Sequence, residues 1–194
     1  MKIVLGSSSP FRKALLENLC IEFTCCSPDI DESEMPDETP EQLVERLSIA
    51  KAKEVAKQFP KALIISSDQV AVHRNSVLGK PHDHENAVKQ LTAFSGESVQ
   101  FLTGLCLYNS QTQNIQYIQD NTSVQFRHLT QSQINKYLYK DTPYQCAGSF
   151  RSEGLGAALF DSIESKDPNA LIGLPIMKLV EMLATEGVDI LESL

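Results

Sequence analysis

The chain has no CxxC pair, no excess of basic residues, no apolar stretch of transmembrane length and neither of the common glycine-rich phosphate fingerprints. Each absence removes a class of function. The five cysteines, Cys20, Cys25, Cys26, Cys106 and Cys146, are an odd number without paired spacing, which argues against a disulfide framework and for a reducing cytosol. The 17 Lys and Arg against 25 Asp and Glu leave a formal net charge of −8. A generic grip on nucleic acid or on an anionic membrane would reward the opposite sign, so neither is expected as a partner, while local basic pockets for small anions stay open. The start, MKIVLGSSSPFRK, offers only residues 3–6 as an apolar run, too short for a signal segment, and the expectation is a soluble, cytoplasmic protein. Neither GxxxxGK[ST] nor GxGxxG occurs, so phosphate binding has to be argued from other residues. With no internal repeat or clean boundary in 194 residues, a single domain over 1–194 is expected.

What is present alternates between strand and helix signals. Residues 3–6 read as a short buried strand. Ser9 before Pro10 reads as an N-cap with proline at the first helical position, followed by an apolar face of Phe11, Ala14, Leu15 and Leu19. Thr39-Pro40-Glu41-Gln42 is a capping-box pattern that opens a second helix, running to about residue 59 with Leu43, Leu47 and Val55 inward. Strands are predicted over 63–72, 99–108 and 115–126, the last two joined by NSQTQN, with a turn at 73–76 and a helix over 84–93. Ile134, Tyr137 and Leu138 mark a short helix, and 175–186 a final one that Gly187 stops. Such interleaving predicts an α/β fold, a mixed sheet with flanking helices, over all-α or all-β alternatives.

The segment LIISSDQVAV at 63–72 poses the chemical question, because Asp68 lies where a buried strand wants no charge. An unpaired carboxylate there would cost roughly several kcal/mol, so something should meet it. Several other residues could take part in a site. In GSSSPFR, Ser7, Ser8 and Ser9 with the backbone N–H groups of a helix start could attract an anion, and Arg12 at N3 could grip a phosphate; on this segment alone, a well-capped surface helix with an exposed arginine is the commoner reading of the same residues. Lys51, four residues from both Leu47 and Val55, either faces inward or snorkels from the edge of the stripe. Lys80 stands in a GKP turn whose glycine suggests an unusual backbone conformation. Glu32 lies in the acidic loop 27–40 and is a solvated carboxylate unless something else recruits it. Three glycines crowd Arg151 and Glu153 in CAGSFRSEGLG, as a ligand-facing backbone or an irregular loop would. His82 and His84 lack a matching Cys/His cluster and read as solvated. Cys106 reads as a small core residue and Cys146 has no partner histidine, which disfavours a cysteine nucleophile.

Taken together, SSSPFR, Glu32 after Asp31, the alanines around Lys51, SDQV at 67–70, GKP at 79–81, TGL at 103–105, AGSFRSEG at 147–154 and DPNALIGLP at 167–175 resemble the Maf family of nucleotide pyrophosphatases, in order over nearly the whole chain. SDQV with GSFRSEG looks like the branch that hydrolyses 7-methyl-GTP, whereas the dTTP/UTP branch shows threonine after the aspartate and glutamine in place of the glutamate. The resemblance implies an elongated α/β fold with a cleft between two lobes, akin to the inosine triphosphatases. It implies a catalytic Asp68; a divalent cation, Mg2+ or Mn2+, held by Glu32 and Asp68; phosphates bound by Ser7, Ser8, Arg12, Lys51 and Lys80; and specificity set by Arg12, Gln69 and Glu153. The substrate would be the nucleoside triphosphate 7-methyl-GTP, cleaved to the monophosphate and diphosphate, and a homodimer is left open. The alternatives are a dTTP/UTP pyrophosphatase and a non-catalytic nucleotide-binding regulator of cell division.

Overall fold

In the computed structural model, which describes residues 1–192, seven strands form one mixed sheet in the order β2-β1-β3-β5-β6-β7, with β4 paired to β3. The strands are β1 (Lys2–Leu5), β2 (Thr24–Cys25), β3 (Ala62–His73), β4 (Ser76–Leu78), β5 (Ser98–Asn109), β6 (Asn114–Phe126) and β7 (Phe160–Glu164). The helices are α1 (Pro10–Glu17), α2 (Pro40–Ala56), α3 (His84–Phe94), α4 (Gln131–Asp141) and α5 (Ile176–Thr185). β1 runs parallel to both β2 and β3, and β4 and β7 are antiparallel additions to β3 and β6. The mixed α/β sheet with flanking helices is therefore the fold read from the sequence. No helix among the described residues is long and apolar enough to cross a membrane.

The chain divides into two compact units, and β3, β5 and β6 each continue from one into the other. The first comprises Met1–Asp68, Thr103–Asp120 and Asp167–Leu194; the second comprises Gln69–Leu102 and Asn121–Lys166. In the first, the period of two along each strand sorts side chains to opposite sheet faces. Ile3, Leu5, Leu63, Ile65, Leu105 and Leu107 pack with Leu15 and Leu16 of α1 and with Leu179, Met182 and Leu183 of α5. Val4, Ala62, Ile64 and Cys106 pack with Ala52 and Val55 of α2. Buried on both faces, β1 and the first half of β3, which run parallel, are continuous apolar runs. The second unit is centred on Phe94, Phe101, Phe126, Phe150 and Phe160, whose rings meet at centroid distances of 4.8 to 5.7 Å, mostly edge to face.

Capping chemistry sets the starts of α1 and α2 where the sequence predicts them. Ser9 Oγ accepts from Arg12 N with Pro10 at N1, and Thr39 and Gln42 complete a reciprocal capping box. Three details differ. The buried residues of α1 are Leu15 and Leu16, with Leu19 packing just beyond the helix end and Ala14 exposed. α2 ends at Ala56, three residues before Phe59. Gly79 has no left-handed backbone angle; the positive φ in that turn falls on His82, at 64°. The short strands β2 and β7 had no signal, being too brief, or too exposed, to show an apolar pattern.

Candidate active site

Strand parity decides what surrounds the unusual carboxylate. Residues 62, 64, 66 and 68 of β3 share the face covered by α2, so Ser66 and Asp68 point to that helix. Ser67 points to the other face with Leu63 and Ile65. On α2, Val44, Ser48, Lys51 and Val55 follow the helical repeat and are all buried. Lys51 Nζ donates to Asp68 Oδ1 at 2.5 Å. Ser48 Oγ accepts from Asp68 N at 3.1 Å, and Ser66 Oγ donates to Ser48 O at 2.6 Å. The partner that a buried Asp68 demands is thus the ammonium of Lys51. The lysine does not snorkel; only 6% of it is exposed.

That ammonium has a second anion. Glu32 Oε1 lies 3.0 Å from Lys51 Nζ, although most of the Glu32 side chain faces solvent. The loop carrying Glu32 is anchored on both sides. Asp31 Oδ1 accepts from Ser33 N and Oγ. Arg46 of α2 binds Glu38 through Nε and Nη2 at 2.6 and 2.7 Å and donates to Ser33 O at 2.9 Å. This two-pronged contact holds the Glu38 carboxyl down at about 2. Neither Arg46 nor Ser48 stood out in the sequence, because an arginine and a serine on a helix are ordinary until the loop and strand they serve are known. The packing of α2 on the sheet is close enough to need a glycine: a Cβ at Gly104 of β5 would lie 2.5 Å from Ser48 Oγ and 2.7 Å from Val44 Cγ1.

On the other face, Arg12 Nε donates to the carbonyl of Gly173 at 2.8 Å. The guanidinium is half-buried, and burial lowers its pKa while the charges of Asp68 and Glu32 oppose that shift. Ser67 Oγ donates to the same carbonyl at 2.8 Å. Ser7 is buried and its Oγ accepts from Ser9 N at 3.1 Å, while Ser8 is exposed. The hydroxyls of Ser7 and Ser9 therefore already satisfy two N–H groups at the start of α1, leaving fewer for an anion than the sequence suggests.

The first unit so brings together Ser7, Arg12, Glu32, Lys51 and Asp68. Gln69, Lys80 and Glu153 belong to the second. Gln69 is half-buried on β3, and Lys80 and Glu153 are exposed. Lys80 and Glu153 share a neighbourhood, since the charges of both reach the Cys146 thiol; burial pushes that thiol up to about 11. Burial likewise pushes Cys106 up to about 11, so neither makes a ready nucleophile. Arg151 pairs through Nε and Nη2 with Asp141, which also accepts from Tyr137 Oη at 2.8 Å, and Arg151 N donates to that phenol oxygen at 3.1 Å. This triad, half-buried at Arg151, fixes the start of the loop that carries Glu153. Burial of the phenol and the neighbouring Asp141 raise the Tyr137 pKa, so the phenol stays a donor to the carboxylate.

A hard divalent cation suits the donors present. One oxygen each of Glu32 and Asp68 contacts the Lys51 ammonium, which leaves the second oxygen of each carboxylate to offer a cation. Among the described residues no group of three or more His, Cys, Asp or Glu could hold a metal alone. Mg2+ and Mn2+ commonly rest on one or two carboxylates and complete their shell with phosphate oxygens and water, so the set fits an ion that arrives with the substrate.

Three comparisons bear on this arrangement. The family model described as Maf-like protein matches residues 2–186. A 7-methyl-GTP pyrophosphatase of Colwellia psychrerythraea is 52% identical over 189 residues, covering 97% of this chain and 94% of its own. One of Alcanivorax borkumensis is 53% identical over 188 residues, covering 97% and 95%; one of Vibrio vulnificus is 50% identical over 190, covering 98% and 97%. Among solved structures, the Staphylococcus aureus Ham1 protein overlaps 66% of this chain and 73% of its own at 15% identity with a TM-score of 0.44, a likeness too distant to argue from.

Proposed function

The chain belongs to the family of Maf-like proteins, and on that premise we propose that it is a nucleoside triphosphate pyrophosphatase that cleaves 7-methyl-GTP to 7-methyl-GMP and diphosphate. One observation carries the chemistry: a buried aspartate at the edge of the first unit, gripped by a buried lysine, with a second carboxylate and an arginine acting on the same place. The same reading puts the work in the cytoplasm, as removal of a modified nucleotide from the pool.

In this reading, water attacks the α-phosphorus. Its oxygen bonds to phosphorus, the bond from the α-phosphorus to the α,β-bridging oxygen breaks, and that oxygen leaves with diphosphate. Asp68 orients the water and takes its proton. Lys51 fixes the Asp68 rotamer and adds positive charge beside the developing anion, and Arg12 binds the phosphate chain, with Ser7, Ser8 and Lys80 as further phosphate ligands. Two cations against two carboxylates leave this part of the first unit without net charge, so a triphosphate needs countercharge from elsewhere. Mg2+ or Mn2+, held by Glu32 and Asp68 when bound, would supply it and polarise the phosphoryl oxygens.

Diphosphate release from 7-methyl-GTP by purified protein tests the reading, with GTP, dTTP and UTP in the same panel. Saturable binding without release would mark a nucleotide sensor and overturn it. Turnover should fall on chelation and return when Mg2+ or Mn2+ is added back; full turnover in chelator would remove the metal.

Base choice is assigned to Gln69 and Glu153, together with Arg12. A guanine edge presents N1–H and N2–H donors that one carboxylate can accept as a pair, and N7 methylation adds positive charge to the ring. The glutamate carboxylate accepts both donors and answers the ring charge, whereas a neutral amide has one acceptor oxygen and no charge and so loses part of the pair and the charge attraction. Glu153→Gln should therefore lower kcat/KM for 7-methyl-GTP by roughly tenfold to a hundredfold, with little change for UTP. Equal losses on both would take Glu153 out of base recognition.

A further inference from the structure

One backbone oxygen serves two side chains of the site. The carbonyl of Gly173 accepts from Arg12 Nε and from Ser67 Oγ, each at 2.8 Å. Ser67 immediately precedes Asp68, so this oxygen links the arginine of α1 to the backbone that carries the carboxylate. We propose that Gly173 is a positioning residue: its carbonyl clamps Arg12 and Ser67 in one geometry, and thereby aims the guanidinium at the phosphate chain.

The loop before α5 is built to hold that oxygen still. Asp167, 2% exposed, accepts from Asn169 N at 2.9 Å and Nδ2 at 3.0 Å through Oδ1, and from Met177 N at 2.6 Å through Oδ2, tying the loop's start to the first turn of the helix. Asn169 O accepts from the N–H groups of Ile172, Gly173 and Leu174. Thr103 Oγ1 of β5 donates to Ala170 O at 3.0 Å and pins the loop to the sheet. Such bracing fixes the backbone on both sides of Gly173. It makes sense if one carbonyl has to stay in place.

Two independent features favour glycine at 173. Its φ of +121° lies where side chains are strained. A Cβ there would also sit 3.2 Å from Arg12 Nε, the very atom that the carbonyl binds. Any side chain at this position presses on the arginine it is meant to hold, so the absence of one is part of the clamp.

The clamp rests on the reading that Arg12 binds phosphates, and binding of inorganic tripolyphosphate with Mg2+, followed by calorimetry, tests it whether or not the protein hydrolyses 7-methyl-GTP. Gly173→Ala should weaken tripolyphosphate binding by roughly tenfold to a hundredfold, as Arg12→Ala does, and the two together should lose no more than Arg12→Ala alone. Losses that multiply, or unchanged binding by Gly173→Ala, would overturn the clamp. Should Gly173→Ala fail to fold, Arg12→Lys answers the same question: it keeps the charge and an intact Gly173 but has no Nε–H for the carbonyl. It should lose nearly as much as Arg12→Ala, and full binding by Arg12→Lys would overturn the proposal. Hydrolysis by the unaltered protein, measured separately, reports on the pyrophosphatase reading by itself.

Discussion

Asp68→Asn is expected to yield a folded protein that releases diphosphate from 7-methyl-GTP about two to four orders of magnitude more slowly, the range seen when a positioned general base is lost. The amide has the shape of the carboxylate and its oxygen can still accept from Lys51, so the geometry of β3 and α2 should persist. Folding is protected for a second reason. Lys51 keeps Glu32 as an anionic partner at 3.0 Å, so removing the charge of Asp68 strands no buried cation. What goes is the capacity to take a proton from water and to share a divalent ion with Glu32. Steady-state kinetics beside a melting curve separate these effects. Near-normal turnover in a folded variant would take Asp68 out of the mechanism; loss of folding would show that its charge is structural.

How far the sequence discloses this site follows from the range of the interactions that make it. Ser9, Thr39 and Gln42 act within four residues of themselves, and the helices they start are where local rules put them. Asp68 announced itself because its charge contradicts the apolar run around it. The need for a partner was legible, but its identity was not: Lys51 lies 17 residues away and reads as well at the edge of a helix stripe as inside it. Only the pairing of β1 with β3 and the seating of α2 over the even-numbered residues of β3 choose between those positions. Gly173 is the extreme case. Its oxygen is recruited across 161 residues by Arg12 and 106 by Ser67, and a backbone carbonyl leaves no trace in residue identity beyond the glycine that makes room for it. The links that hold the candidate site are contacts between elements, and a pattern read along one element cannot display them.

The pairing also decides what removal of Lys51 does to stability. As an inward-facing phosphate ligand alone, Lys51 would be removable at little cost to the fold. Salt-bridged to Asp68 with both side chains more than nine-tenths buried, it is not. Lys51→Met preserves the volume of the stem but leaves the Asp68 carboxylate in the packed face under α2 with no cation in contact. Breaking a buried pair from one side typically costs about 3–5 kcal/mol, mostly as the penalty of the stranded charge. In a protein of this size each kcal/mol moves Tm by roughly 2–4 °C, so a fall of roughly 6–20 °C is expected. The asymmetry between partners is the sharper part of the test: Asp68→Asn should melt close to the unaltered protein, because Glu32 still answers Lys51. Combining Lys51→Met with Asp68→Asn should restore much of the lost stability, because no charge is then left buried, while activity stays absent. Denaturation of the two single variants and the double one yields the coupling directly. If Lys51→Met instead melts like the unaltered protein, water reaches the carboxylate when the lysine leaves, and the pair is kept for what it does to a phosphate.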